Sequence, residues 1–153
     1  MSDLPDPMTR NIGHPILRLL AAFPIACFTC ALFTDIAYVQ TENVMWVDFS
    51  DWLLAVGMAG GVVAAVAGLL SLITNRRRRT QRLNWSLALG SLVVLAIALL
   101  NNFVHSRDAW TSVMPTGLTL SAATVLAVLV TAWLAANADR RRGVAMPYSG
   151  VRQ

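Results

Sequence analysis

Long runs of apolar residues, separated by short polar segments, dominate the chain. Four of these runs are predicted as helices, at about residues 15–38, 52–73, 85–103 and 116–136. Each holds about 20 residues, the length that an α-helix needs to cross the roughly 30 Å hydrocarbon core of a bilayer. Backbone groups in lipid need partners within their own segment, which favours helices. The pattern predicts an all-α integral membrane protein folded as a four-helix up-down bundle.

Composition agrees with a membrane-spanning chain. Of the 153 residues, 56% are hydrophobic and 13% are charged, and the mean hydropathy is +0.58. These values exclude an ordinary soluble domain of this size. The expected organisation is a polar N-terminal tail at 1–13, one four-helix transmembrane domain at 14–136 and a basic C-terminal tail at 137–153.

The arginines predict the orientation of the bundle. All 12 basic residues are Arg, and they concentrate in the first tail, in the connection at 74–84 and in the last tail. Because positive charge accumulates on the cytoplasmic side, both termini are expected there, in the inner membrane of a bacterium. The Arg76–Arg79 run is interpreted as a topology anchor beside lipid, and nucleic acid is not expected as a partner.

A stripe of small residues follows one face of the second predicted helix. It contains Gly57, Gly61, Ala64 and Gly68. Such a face lets two helix backbones approach closely. The stripe predicts helix packing, and its spacing fits a homodimer as well as a neighbour within the same chain.

Polar residues suggest a cluster near the outer end of the bundle. In the third helix Asn84, Ser91, Asn102 and His105 project within about 60° of one another, so this stripe is expected to face the interior. Asp35 is predicted at the level of Asn102 and His105, which favours a contact with one of them. We interpret it as a clasp between helices; the alternative is a proton or small-solute conduit through Asp35 and Asn102.

The inner end offers one candidate ligand for a cofactor. His14 and Arg18 share a helix face near the predicted level of Asn84, and His14 is the candidate for binding haem or a metal. His14 and His105 are expected about 30 Å apart, on opposite membrane faces, and so cannot ligate one haem together.

The remaining reactive residues do not predict a catalytic site. Cys27 and Cys30 fall near the bilayer centre, where a reactive thiolate is disfavoured, and are interpreted as packing residues. No catalytic residues and no metal-binding motif are predicted from the spacing of the sequence.

Several short motifs resemble a known family. They are His14-Pro15, Phe23-Pro24-Ile25-Ala26, Asp35-Ile36-Ala37-Tyr38, the glycine-rich second helix, Asn102 followed by Arg107, and Trp133-Leu134. Together they resemble domain of unknown function 2231, a bacterial family of small four-helix membrane proteins, over about residues 13–146. The resemblance implies the architecture but no activity. Where family members carry a histidine near the third helix, this chain has Asn84.

The expected function is that of an accessory or interaction module, packed against itself or within a larger membrane complex. The main alternative is a haem- or metal-binding redox protein that uses His14, and the third is the conduit through Asp35.

Overall fold

The computed structural model describes residues 13–74, 85–107 and 112–144, apart from the side chains of residues 13–15, 18, 72, 86 and 139–144. Four long helices account for most of this part: α1 (Gly13–Thr41), α2 (Met45–Thr74), α3 (Trp85–His105) and α4 (Thr116–Val144). Each is long and apolar enough to cross a membrane. The predicted all-α fold with four spans is therefore confirmed.

All four helices are longer than the apolar runs that predicted them, and α2 and α4 differ most. α2 begins at Met45 rather than at Trp52, and α4 continues to Val144 rather than ending near residue 136. Asn43 accounts for the early start, because its Oδ1 accepts the Met45 N–H at 3.1 Å and caps the helix. Glu42, at a positive φ of 53°, reverses the chain between α1 and α2. Apolar runs mark the lipid-embedded part of a helix, whereas capping marks its ends.

Each helix packs against two neighbours, so the four form a closed ring in which α1 contacts α2 and α4, and α3 contacts the same two helices. Small residues bring α2 close to its neighbours. A Cβ atom added at Gly57 would lie 2.8 Å from Cys27 Cβ, and one added at Gly61 would lie 2.6 Å from Leu95 Cδ2. This part of the small-residue stripe is therefore used inside the bundle rather than left for a second copy.

Packing is unequal along the bundle. The side chains that are buried in the described part of the chain all lie within residues 24–61, 94–107 and 112–131, here called the closed half. The open half comprises residues 13–23, 62–74, 85–93 and 132–144. Gly68 lies five helical turns from the buried Ser50 on the same face of α2, yet nothing approaches within 4 Å of a Cβ placed there. The α2 face that packs in the closed half is thus uncovered at Gly68, whereas α3 and α4 still meet at Gly90, where a Cβ would overlap Thr131.

Two apolar layers fill the closed half. One contains Phe28, Ala31, Leu54, Val94 and Ala98. The other contains Tyr38, Val47 and Val113, with Trp46 and Leu118 packed against it. On α1 the second layer lies two to three turns beyond the first, and the buried Asp35 falls between them. The polar site therefore has an apolar layer on each side.

Candidate functional site

Asp35 is the centre of a buried polar site formed by all four helices. Its side chain is 0% exposed, although it lies on α1 only about 9 Å from the helix end at Thr41, by the rise of an α-helix. A buried carboxyl group in a membrane span requires hydrogen-bond partners, since the lipid offers none. The surrounding helices supply them.

Each of the other three helices supplies one side chain that hydrogen-bonds to this carboxyl group. Ser50 of α2 donates to Asp35 Oδ1 at 2.5 Å, and Ser121 of α4 donates to Oδ2 at 2.5 Å. His105 of α3 places Nε2 3.0 Å from Oδ1. We call these residues, together with Asn101, the Asp35 cluster. One carboxyl group thereby joins four helices.

Asn101 determines the direction of one of these hydrogen bonds. Its Nδ2 lies 2.8 Å from Ser121 Oγ and can only donate. Ser121 has a single hydroxyl proton, which is therefore left for Asp35 Oδ2. Oδ2 therefore accepts from Ser121, while Oδ1 faces Ser50 and His105.

The connection after α3 covers His105. Ser112 and Val113 are fully buried there, and Leu118 donates its N–H to the Val113 carbonyl at 2.8 Å. At Gly117 a Cβ would overlap the backbone oxygen of Ser112 and lie 2.8 Å from His105 Cε1. Glycine at this position lets the start of α4 lie directly against the imidazole.

The structure brings together only part of the predicted polar stripe. Asp35 contacts His105, which was one of the two contacts expected from the sequence. Asn102 instead donates to the backbone oxygens of Leu54 and Ala98, both at 3.2 Å. Asn102 thus links α3 to α2 without reaching Asp35.

Ser91 is exposed, so the expectation that it faces a packed interior is wrong. It shares a helical face with Ala98, two turns away, which is buried, so burial of this face ends between the two residues. Helical periodicity gives the direction of a side chain, whereas burial also depends on how close the next helix lies.

The candidate residues at the other end of the bundle are only partly described. The backbones of His14 and Arg18 belong to α1, but their side chains lie outside the described residues, as does the whole of Asn84. His14 is the second residue of α1 and His105 is the last residue of α3, so their backbones lie at opposite ends of the bundle. A cofactor role for His14 stays a prediction.

The two cysteines have different environments. Cys27 is buried beside Gly57, whereas Cys30 is exposed, and neither forms a disulfide. Among the described residues, no three His, Cys, Asp or Glu side chains are grouped as a metal site would require.

Four residues near Asp35 escaped the sequence prediction: Ser50, Asp51, Asn101 and Ser121. Two of them carry buried oxygens, Asp51 Oδ1 and Asn101 Oδ1, which have no hydrogen-bond partner among the described residues. One signal was present in the sequence: Ser121 lies five residues into the predicted fourth helix, at the depth where Asp35 needs donors, whereas Ser50 precedes the predicted start of the second helix. Serine is too common in membrane helices for that signal to be decisive.

The cluster is suited to holding a proton and poorly placed to pass one across the membrane. The layer of Phe28, Ala31 and Leu54 separates it from the open half. In α4, Thr124 and Thr131 donate to the carbonyls of Leu120 and Ala127 in their own helix. Over the described ranges, no row of polar side chains continues from Asp35 into the open half.

Comparisons with known proteins identify the family. A model of the family described as "Predicted membrane protein (DUF2231)" matches residues 13–147, which covers all four helices. No curated protein and no solved structure matches the chain. The matched region includes the Asp35 cluster and both halves of the bundle, and the chain belongs to the DUF2231 family of predicted membrane proteins.

Proposed function

We propose that this four-span membrane protein is an accessory module of a membrane assembly, which binds a transmembrane helix of another subunit or of a second copy. The observation that carries the proposal is the uncovered small-residue face of α2 in the open half. Gly68 has open space where a side chain would be, and Ala64 and Ser71 on the same face are only half-buried.

The opposite wall of this region is α3. Gly61 and Leu95 hold α2 and α3 together at the edge of the closed half. Beyond that contact Leu87 is 47% exposed, although it projects in the same direction as the buried His105, five turns away. Small residues on one helix and a leucine on the other are the surfaces that pack well against an added helix in lipid.

Substitution of Gly68 tests this surface. Gly68→Ile is expected to weaken association, because a branched side chain would keep a partner helix away from the α2 backbone. Ala59→Ile is the matched control, since Ala59 is exposed on the opposite face of α2. Energy transfer between labelled copies in liposomes measures self-association, and quantitative purification from native membranes measures association with other subunits.

Association that depends on Gly68 but not on Ala59, in either measurement, supports the proposal. If the wild type remains solitary in liposomes and no membrane protein is enriched in a Gly68-dependent way, the module function is wrong.

We further propose that the protein lies in a bacterial inner membrane with both termini in the cytoplasm. The arginine distribution supports this orientation, although the Arg76–Arg79 connection lies outside the described residues. Reporter fusions at the C-terminus and between Asn43 and Val44 should give opposite signals, with the C-terminus cytoplasmic. A cytoplasmic signal from the 43–44 fusion would refute the orientation.

A further inference from the structure

We propose that Asp35 and His105 form a proton-binding site, which holds one proton shared between them and exchanges it through Asp51 with water at the α1–α2 turn. The site is independent of the helix-binding surface proposed above. Its ligand is a proton, and its occupancy controls how strongly the four helices are joined.

The hydrogen-bond geometry of His105 requires the shared proton. Its Nδ1 lies 3.1 Å from the backbone oxygen of Asn101, and its Nε2 lies 3.0 Å from Asp35 Oδ1. Both neighbours are oxygen acceptors when Asp35 is ionised, but a neutral imidazole has only one N–H. Either neutral tautomer would therefore direct a lone pair at an acceptor. One additional proton, on Nε2 or on Oδ1, removes this conflict.

With that proton the pair has no net charge, whether it is a carboxylate with an imidazolium or a carboxylic acid with an imidazole. When the proton leaves, a neutral imidazole lies beside a carboxylate, a nitrogen lone pair of His105 faces an oxygen acceptor, and the pair carries one negative charge. No more than 2% of the surface of either residue is exposed, and an uncompensated charge is costly at a buried position. Loss of the proton is therefore expected to loosen the contact between α1 and α3.

Charged groups around the pair indicate the route of exchange. On α2, Asp51 is half-buried, while Asp48, one turn nearer the helix start, is exposed. Asp51 directly follows Ser50 of the cluster, and its Oδ1 is a buried acceptor without a described hydrogen-bond partner, so we place Asp51 between the pair and water.

The elements other than α2 place fewer charged side chains near the Asp35–His105 pair. Arg107, after α3, is exposed. On the described face of α4 toward Asp35 the polar groups are the hydroxyls of Ser121 and Thr124, which do not titrate in the accessible range. Tyr38 lies in the apolar layer above the cluster.

Proton count is measurable directly. In full-length protein in lipid nanodiscs, with His14→Gln to leave one histidine, nitrogen NMR of the imidazole reports which nitrogens carry protons, and infrared spectroscopy reports a protonated carboxyl group. At neutral pH we expect either two ring protons or a carboxylic acid band that disappears in Asp35→Asn. A ring with one proton and no such band would overturn the proposal.

The stability of the protein should depend on the same proton. An unfolded chain releases its histidine proton near about pH 6.5, whereas the folded pair keeps its proton there. The folded state then binds more protons, so stability declines as pH rises above about 6.5 and is level between about pH 4 and 6.5. The midpoint of thermal unfolding should fall by several degrees over this range in the wild type.

Asp35→Asn is the informative variant. Its amide can donate to Nε2 of a neutral His105 and accept from Ser121, so an N–H of the new side chain replaces the shared proton. Its unfolding midpoint should therefore not change as the pH rises above about 6.5, and should fall as the pH drops below that value, where the unfolded histidine gains a proton that the folded one does not hold. Val94→Ala, the control, truncates a buried side chain of the apolar layer outside the Asp35 cluster, so it should lower the midpoint at every pH without altering the slope. Identical slopes in the wild type and Asp35→Asn would contradict the proposal.

The route is tested separately. Asp51→Asn should slow proton exchange of the His105 ring several-fold without changing how many protons are bound at equilibrium. Glu42→Gln, an exposed carboxyl group in the α1–α2 turn, serves as the control. An unchanged exchange rate in Asp51→Asn would exclude Asp51 from the route.

Discussion

Replacing Asp35 with alanine is expected to lower the free energy of unfolding by about 2–5 kcal/mol, from the sum of three hydrogen bonds at about 0.6 kcal/mol each in a membrane protein up to the cost of breaking a buried ion pair. The loss is large because one truncation removes the acceptor of Ser50, Ser121 and His105 together. Steric-trapping or mixed-micelle unfolding of the full-length protein measures it.

Thr29→Ala provides the control on the same helix. The Thr29 hydroxyl donates only to the carbonyl of Ile25, within α1, so its removal should cost a small fraction of that energy. An equal loss for the two variants would mean that the Asp35 cluster does not hold the helices together.

Gly57→Ala is expected to destabilise the bundle by about 1–3 kcal/mol, the usual cost of overpacking a well-filled contact. The added methyl group would lie 2.8 Å from Cys27 Cβ and 2.9 Å from the Phe28 ring, neither of which is the free end of a flexible chain. α1 and α2 would have to separate. Unfolding measurements under the same conditions as for Asp35→Ala give the comparison.

Gly68→Ala is the matched substitution in the same small-residue stripe of α2, in the open half of the bundle. Nothing lies within 4 Å of the new Cβ, and alanine has the higher helix propensity by up to about 1 kcal/mol. This variant should be neutral or slightly more stable. If the two alanine variants were equally destabilised, the closed and open halves would not differ in packing.

The helices were predictable from sequence because lipid imposes a strong requirement on every span. Runs of about 20 apolar residues satisfy it, and all four runs became helices. The start of α2 at Met45 was not predictable from hydropathy, since Asn43 caps that helix within a polar segment. The same segment reads equally well as a loop.

The polar site was only partly predictable for a geometric reason. Asp35 and His105 were identified because ionisable residues in membrane spans are rare and need partners. Asn101 and Asn102 are adjacent, however, and a rotation of α3 by about 100° exchanges their roles. Only the packing of α3 against α2 and α4 determines that Asn101 faces Ser121 while Asn102 reaches Leu54.

Convergence of four helices on one carboxyl group also has a consequence for biosynthesis. Spans enter the membrane in chain order, so Asp35 is delivered before every residue that bonds to it. The short turn at 42–44 lets Ser50 follow at once, and a two-span intermediate can already shelter one carboxylate oxygen. The other oxygen, Oδ2, has no donor until Ser121 of α4 has entered the membrane. Nascent chains that stop before α4 are therefore expected to be the substrates of membrane quality control.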